Sequence, residues 1–215
     1  MAAGFQMERV NISGLSPDLA VLERAVAVLR LGGLIGYPTE TFYGIGADPR
    51  SELAVDALFR AKGRPTEVSI PLIAGSVAQL TAVAGPLSTM ARRLAERFWP
   101  GPLTLVIPAW QGLSVVIHAG RGTVAVRVPG HQVARSLSDA FGHPITSTSA
   151  NLSGQPPATD ADAVALSLAS SLSMLLDGGV TPGGQASTIV DALGDQPRLV
   201  RQGAIAWGQV LECLE

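Results

Sequence analysis

The chain has 215 residues, 47% hydrophobic and 15% charged, with a formal net charge of −2, enough apolar material for a sizeable core in one α/β domain spanning residues 1–215. A pI near 5.9 excludes a surface built mainly for nucleic acid, which needs a basic excess, though it permits a local basic cavity. A single cysteine, Cys213, excludes an internal disulfide and a thiolate metal site, and the lack of a leader-like start or a bilayer-length apolar run predicts a soluble, cytoplasmic protein without membrane contact.

Ser16-Pro17 reads as a helix cap, followed by Leu19, Leu22, Val26 and Leu29 at helical spacing up to Gly32-Gly33. Leu34 to Tyr37 is a short buried strand that stops at Pro38. The run Pro38-Thr39-Glu40-Thr41-Phe42-Tyr43-Gly44-Ile45-Gly46 is then the loop that leaves it. Hydroxyls and glycines at a strand end suit a ligand, and they suit an ordinary turn equally well. Ser51 caps a second helix carrying Leu53, Leu58 and Phe59, stopped by Gly63 and Pro65.

That places Lys62, the only lysine in the chain, in the last helical turn. With Arg64 two residues on it forms an anion clamp, or it simply complements the negative end of the helix dipole. Ile70 to Ala74, with an internal proline, predicts a strand near an edge or bulge. Ser88 to Trp99 is helical with Met90, Leu94 and Phe98 inward and Arg92, Arg93 and Arg97 outward.

Leu103 to Ile107 and Val115 to Ile117 read as strands. In Val124 to Val128 the valines alternate with Ala125 and Arg127, so the arginine faces away from them. A guanidinium in so apolar a strand requires a protein carboxylate or an anionic ligand; the residues alone favour the carboxylate. A helix over His131 to Phe141 precedes a strand from Ile145 that runs into Thr146, Ser147, Thr148, Ser149 and Asn151. This donor and acceptor set suits phosphate and ribose oxygens, or a turn.

Thr159-Asp160-Ala161-Asp162 reads as a capping box for a helix through Leu168. Met174 to Leu176, Ser187 to Asp191 and Leu199 to Arg201 are the last strands. His118, His131 and His143 have no ligand spacing and read as structural or surface residues. Phosphate-binding P-loop, dinucleotide, zinc-protease and serine-hydrolase signatures are all missing from the sequence.

Taken together, Pro38 to Gly44, Lys62-Gly63-Arg64-Pro65, Pro71-Leu72, Phe98 to Thr104, Val126-Arg127-Val128-Pro129, Ser149 to Gly154, Ser187 to Asp191 and Arg201 resemble the YrdC-like family. They occur in that family's order from about residue 20 to residue 205. The resemblance implies an α/β fold: a twisted, mostly parallel mixed sheet flanked by helices, with a deep, positively charged concave cavity. It also implies a nucleotidyltransferase that joins L-threonine, bicarbonate or CO2, and ATP into L-threonylcarbamoyladenylate, releasing pyrophosphate. The product serves t6A modification of tRNA, and the form is the short, single-domain one. Carried over by position, Lys62 and Arg64 become the catalytic pair, and Lys62, Arg64, Thr123, Ser147, Asn151 and Arg201 contact ATP. Thr41, Arg127, Ser149 and Ser187 surround the threonine, with Arg127 on its carboxylate.

Mg2+ is implied with ATP, held by phosphate oxygens and water because the sequence shows no dedicated carboxylate cage. The implied partners are a tRNA threonylcarbamoyltransferase complex that receives the product and a weak tRNA contact. Two other activities fit the same fold: an RNA-binding relative that makes no intermediate, and a carbamoyltransferase-type module using carbamoyl phosphate. The sequence departs from the family pattern at Ile70, at Ala74-Gly75, where a histidine contact to the amino acid is missing, and at Gln202.

Overall fold

The computed structural model describes residues 6–215. Its strands are β1 (Glu8–Asn11), β2 (Ile35–Tyr37), β3 (Gly44–Gly46), β4 (Leu72–Ile73), β5 (Leu103–Pro108), β6 (Thr123–Arg127), β7 (Ile145–Thr146), β8 (Thr148–Ser149), β9 (Met174–Asp177), β10 (Thr188–Asp191) and β11 (Arg198–Arg201). The helices are α1 (Leu19–Arg30), α2 (Glu52–Lys62), α3 (Val77–Ala84), α4 (Thr89–Phe98), α5 (Gln132–Phe141), α6 (Ala161–Leu168) and α7 (Trp207–Glu212).

Local chemistry sets several boundaries. The Ser51 side chain accepts from Ala54 N, and Gly63 ends α2 in the left-handed conformation that only glycine adopts cheaply. Ser88 caps α4 in the same way. The start of α1 differs from expectation. Asp18, rather than Ser16, is the cap, since its carboxylate accepts from Ala20 N and Val21 N. Likewise Asp160, not Thr159, caps α6 through Ala163 N.

Two sheets replace the single one expected. One has the order β1-β9-β2-β3-β8, the other β11-β10-β5-β6-β4-β7. Antiparallel pairings slightly outnumber parallel ones, so the mostly parallel expectation is also corrected. Gly44 to Gly46, expected to be loop, pairs antiparallel with β2. The strand β4 lies between β6 and the edge strand β7, one strand in from the edge, in keeping with the expectation of a strand near an edge. Pro71 is tolerated there because it precedes the paired residues and offers only its carbonyl, which accepts from Ser147 N at 2.8 Å.

Val115 to Ile117 forms no strand. Most of its backbone bonds are local turns, such as Ile117 N to Ser114 O and Gly120 N to Val115 O; one bond, from Ile70 N to Ile117 O at 2.9 Å, is long-range, and Val115 stays 64% exposed. The elements β1, α3 and α7 were not anticipated.

Buried side chains form two clusters. One joins Leu58 and Phe59 of α2, Leu94 of α4 and Trp99 to the β5 and β6 side chains Leu103, Leu105, Val124 and Val126. The other joins Leu22, Val26 and Leu29 of α1 to Val133, Leu137 and Phe141 of α5, over Ile35, Tyr37, Ile145 and Met174. Burying a side chain of this size contributes about 1.5–3 kcal/mol. The helical and strand periodicities in the sequence therefore do mark the core-facing residues, Leu19 and Leu53 excepted, which are 75% and 64% exposed.

Candidate active site

The chain passes from one sheet to the other between β7 and β8. Residues Ile145 and Thr146 pair with β4 in the six-stranded sheet, and two residues later Thr148 and Ser149 pair with β3 in the five-stranded one. Ser147 is the crossing point. A cavity of about 370 Å3 opens there, walled by Thr39, Thr41 to Gly44 and Thr148-Ser149 on one side and by Thr104, Ala125, Arg127, Ile189 and Arg201 on the other.

Strand register explains why the second wall carries charge. Thr104 of β5 lies opposite Ile189 of β10, which lies opposite Arg201 of β11. The pairing of Leu105 with Val126 puts Arg127 beside Thr104. One row across the sheet therefore runs Arg201, Ile189, Thr104, Arg127. Its ends are three strand spacings apart, roughly 14 Å at the backbone. Burial, then the Arg127 charge, lowers the Arg201 pKa from its ordinary value. Arg64 enters from the α2 end, donating to Ser69 O at 3.2 Å and Thr148 Oγ1 at 3.5 Å, and burial lowers its pKa too. A cavity with three arginines around it is suited to an elongated polyanion.

Most sequence-derived site residues meet at this cavity. Thr41, Arg64, Arg127, Ser147, Ser149, Ser187 and Arg201 all line it. Ser187 is held by Thr104 Oγ1 at 2.8 Å, and its carbonyl accepts from Arg201 Nη2 at 2.8 Å. Lys62 and Asn151 lie behind the wall. Lys62 is 3% exposed and donates to Ser149 O at 2.6 Å, Asn151 O at 2.7 Å and Asn151 Oδ1 at 3.1 Å. Burial, with Arg64 adding to it, pushes the Lys62 pKa down to about 8. The three oxygens around Nζ favour the ammonium form. The Asn151 amide is in turn anchored, donating to Leu152 O and Gln155 O. Thr123 does not line the cavity. It sits opposite Pro108, four residues before Arg127 on the same face of β6, roughly 13 Å away along the strand.

Arg127 has a protein partner, Glu40, to which Nη1 donates. The residue-level expectation of a carboxylate is therefore met inside the chain. Glu40 was missed as a site residue, although it lies within the Pro38 to Gly46 loop singled out by sequence, where it is the one carboxylate. Glu40 Oε2 and His131 Nδ1 are buried without a hydrogen-bond partner among the described residues. Burial lowers the His131 pKa against the pull of Glu40.

Other wall residues were also missed. Thr104 is 2% exposed in an apolar strand, and its hydroxyl in that setting is the signal that could have found it. Tyr43 is signalled only by its neighbours. Its hydroxyl donates to Gly179 O at 2.7 Å and accepts from Gly178 N at 3.1 Å, tying the segment after β9 to the wall, and burial pushes its pKa up to about 12. Among the described residues no cluster of three or more His, Cys, Asp or Glu side chains could hold a metal ion.

A family model described as telomere recombination, Sua5/YciO/YrdC, matches residues 27–203. The threonylcarbamoyl-AMP synthase of Pyrococcus abyssi is 41% identical over 181 residues, which is 84% of this chain and 53% of that one. That of Vibrio vulnificus is 39% identical over 184 residues, 85% of this chain and 98% of that one. The crystal structure of P. abyssi Sua5 complexed with L-threonine superposes with a TM-score of 0.89 at 37% identity, covering 96% of this chain and 60% of that one. The chain thus spans between half and two thirds of the P. abyssi protein and nearly all of the Vibrio one.

Proposed function

The chain belongs to the Sua5/YciO/YrdC family, and on that premise we propose that it is a transferase of the nucleotidyl class that makes L-threonylcarbamoyladenylate. It would use L-threonine, bicarbonate or CO2, and ATP, release pyrophosphate, and supply t6A modification of tRNA through a threonylcarbamoyltransferase complex. The observation that carries this reading is the cavity in which Arg64, Arg127 and Arg201 converge among the hydroxyls of Thr41, Ser147, Ser149 and Ser187. A polyanionic leaving group and an amino-acid carboxylate both need cationic partners, and the row geometry provides them at separated points.

In this mechanism Arg127 takes the threonine carboxylate, and Arg64 and Arg201 take the nucleotide phosphates. The threonine amine adds to CO2, losing a proton, to give a carbamate. A carbamate oxygen then bonds to the α-phosphorus as the bond to the bridging oxygen breaks and pyrophosphate leaves with the electron pair. Holding the two reactants in line supplies the entropic share of the acceleration, and the guanidiniums stabilise charge that grows on the leaving group. Lys62 acts from behind the wall by fixing the Ser149 to Asn151 backbone that presents Ser149. Mg2+ bound to the nucleotide would neutralise phosphate charge; the wall offers it hydroxyls rather than a carboxylate set.

The test is pyrophosphate release with each substrate omitted in turn. Release that requires ATP, threonine and bicarbonate together supports the assignment. Dependence on carbamoyl phosphate, or tRNA binding with a steep salt slope and no pyrophosphate, rejects it.

A further inference from the structure

Arg127 is 7% exposed, and its side chain makes one hydrogen bond among the described residues, from Nη1 to Glu40. Among the same residues Nε and Nη2 have no partner, yet they are absent from the buried unpaired atoms and so remain accessible. The two edges of the guanidinium therefore have different surroundings. One faces Glu40, whose Cβ and Cγ lie against Gly130, 3.5 and 3.4 Å from where a Cβ would stand on that glycine. The other carries the donors left free by Glu40, on a residue that lines the cavity where Glu40 does not.

Glu40 engages the arginine through Oε1 alone, while Oε2 is buried and unpaired among the described residues. A single-pronged contact holds the plane of the guanidinium without using up its fork, which matches a carboxylate through two parallel N–H groups. An arginine in an apolar strand with no carboxylate behind it would also be an uncompensated buried charge.

We propose that Glu40 is the positioning residue for Arg127: it fixes the Nη1 edge against the Gly130 wall and leaves the Nε and Nη2 edge turned to the cavity as a two-pronged site for the carboxylate of the amino-acid substrate. The second half rests on the function proposed above. Glu40 touches no reacting atom in this scheme. Its charge and its reach are what matter, because a neutral amide of the same size cannot oppose the guanidinium charge.

The experiment compares the wild-type chain with Glu40→Gln, Glu40→Asp and Arg127→Lys. Side-chain 15N NMR follows the guanidinium signals, with those of Arg127 identified by their loss in Arg127→Lys. Threonine titration and pyrophosphate release give affinity, KM and kcat. In wild type the Arg127 signals are expected to show hindered rotation and slow exchange, lost in Glu40→Gln and partly kept in Glu40→Asp. The threonine KM of Glu40→Gln is expected to rise on the order of 30-fold to 100-fold with kcat changed much less, the lower end of the range for removing one partner of a buried charge pair. Glu40→Asp should recover part of that loss, and it stands in as the test variant if Glu40→Gln does not fold. An unchanged Arg127 signal, or unchanged threonine affinity, in the variant overturns the proposal. If wild type binds no threonine, the functional reading falls, and the NMR comparison, which needs no substrate, decides whether Glu40 positions Arg127.

Discussion

Replacing Lys62 by Met removes the ammonium while keeping an unbranched side chain of similar length. Three contacts go at once, those to Ser149 O, Asn151 O and Asn151 Oδ1. They are not equivalent. Ser149 O still accepts from Asn151 N at 3.0 Å, so it keeps a partner. Asn151 O and Oδ1 have no other donor among the described residues, and Asn151 is 7% exposed. Each buried acceptor left unpaired costs about 1–3 kcal/mol, so the substitution should cost roughly 2–6 kcal/mol. For a chain of this length that lowers Tm by roughly 4–24 °C. Because the freed loop carries Ser149 on the cavity wall, turnover should fall with stability, on the order of 10²-fold to 10³-fold. Thermal unfolding by circular dichroism and pyrophosphate release on the same sample measure both. A Lys62→Met variant with the wild-type Tm would refute the anchoring role, and normal turnover at reduced Tm would separate the loop from the chemistry.

The same lysine sets a pH dependence. Its pKa is pushed from 10.5 to about 8 by burial and by Arg64. Between those values the unfolded chain binds more protons than the folded one, so the penalty of burying the ammonium is full below about pH 8 and is relieved as pH rises toward about 10.5. Denaturant unfolding across that window should show wild type gaining stability relative to Lys62→Met; parallel profiles would contradict it. Arg127→Ala should weaken apparent threonine affinity on the order of 10²-fold, and unchanged affinity would remove Arg127 from the carboxylate site. Gly203→Ala would drive a Cβ into Ala186 O and to 2.5 Å from the Ser187 carbonyl carbon. Overpacking of that kind costs about 1–3 kcal/mol, and it should displace Ser187 from the cavity wall; wild-type stability together with wild-type KM would show that the loop yields freely.

Much of the local structure could be read directly. Ser51 and Ser88 cap their helices through bonds reaching three residues along the chain, and Gly63 stops α2 through its own backbone. The alternation in Val124 to Val128 put Arg127 on the face opposite the valines, which are buried in the core. Where such reading failed, the competition was still local or the element was short. At α1 a carboxylate at Asp18 outcompetes Ser16, and around Val115 a series of turns takes the backbone bonds a strand would have needed. Thr41, Arg64, Arg127, Ser147, Ser149, Ser187 and Arg201, drawn from stretches scattered over the chain, do converge.

The family, the helix and strand periods, and the requirement that Arg127 have an anionic partner were all settled by the amino-acid sequence alone. The family rests on the resemblance of motifs met in order along the chain; the periods and the partner requirement depend on repeats of two and 3.6 residues and on the cost of burying charge, none of which needs a distant neighbour. Which partner Arg127 would find was decided by tertiary structure, because Glu40 lies 87 positions away. The same holds for Lys62, whose acceptor on Asn151 is 89 positions away. Pairing β8 with β3 brings Asn151 to the end of α2, and pairing β6 with β4 and β5 brings Arg127 to the loop after β2. Local preference cannot encode such meetings, since the same residues would satisfy the same caps and periods in any arrangement of the two sheets.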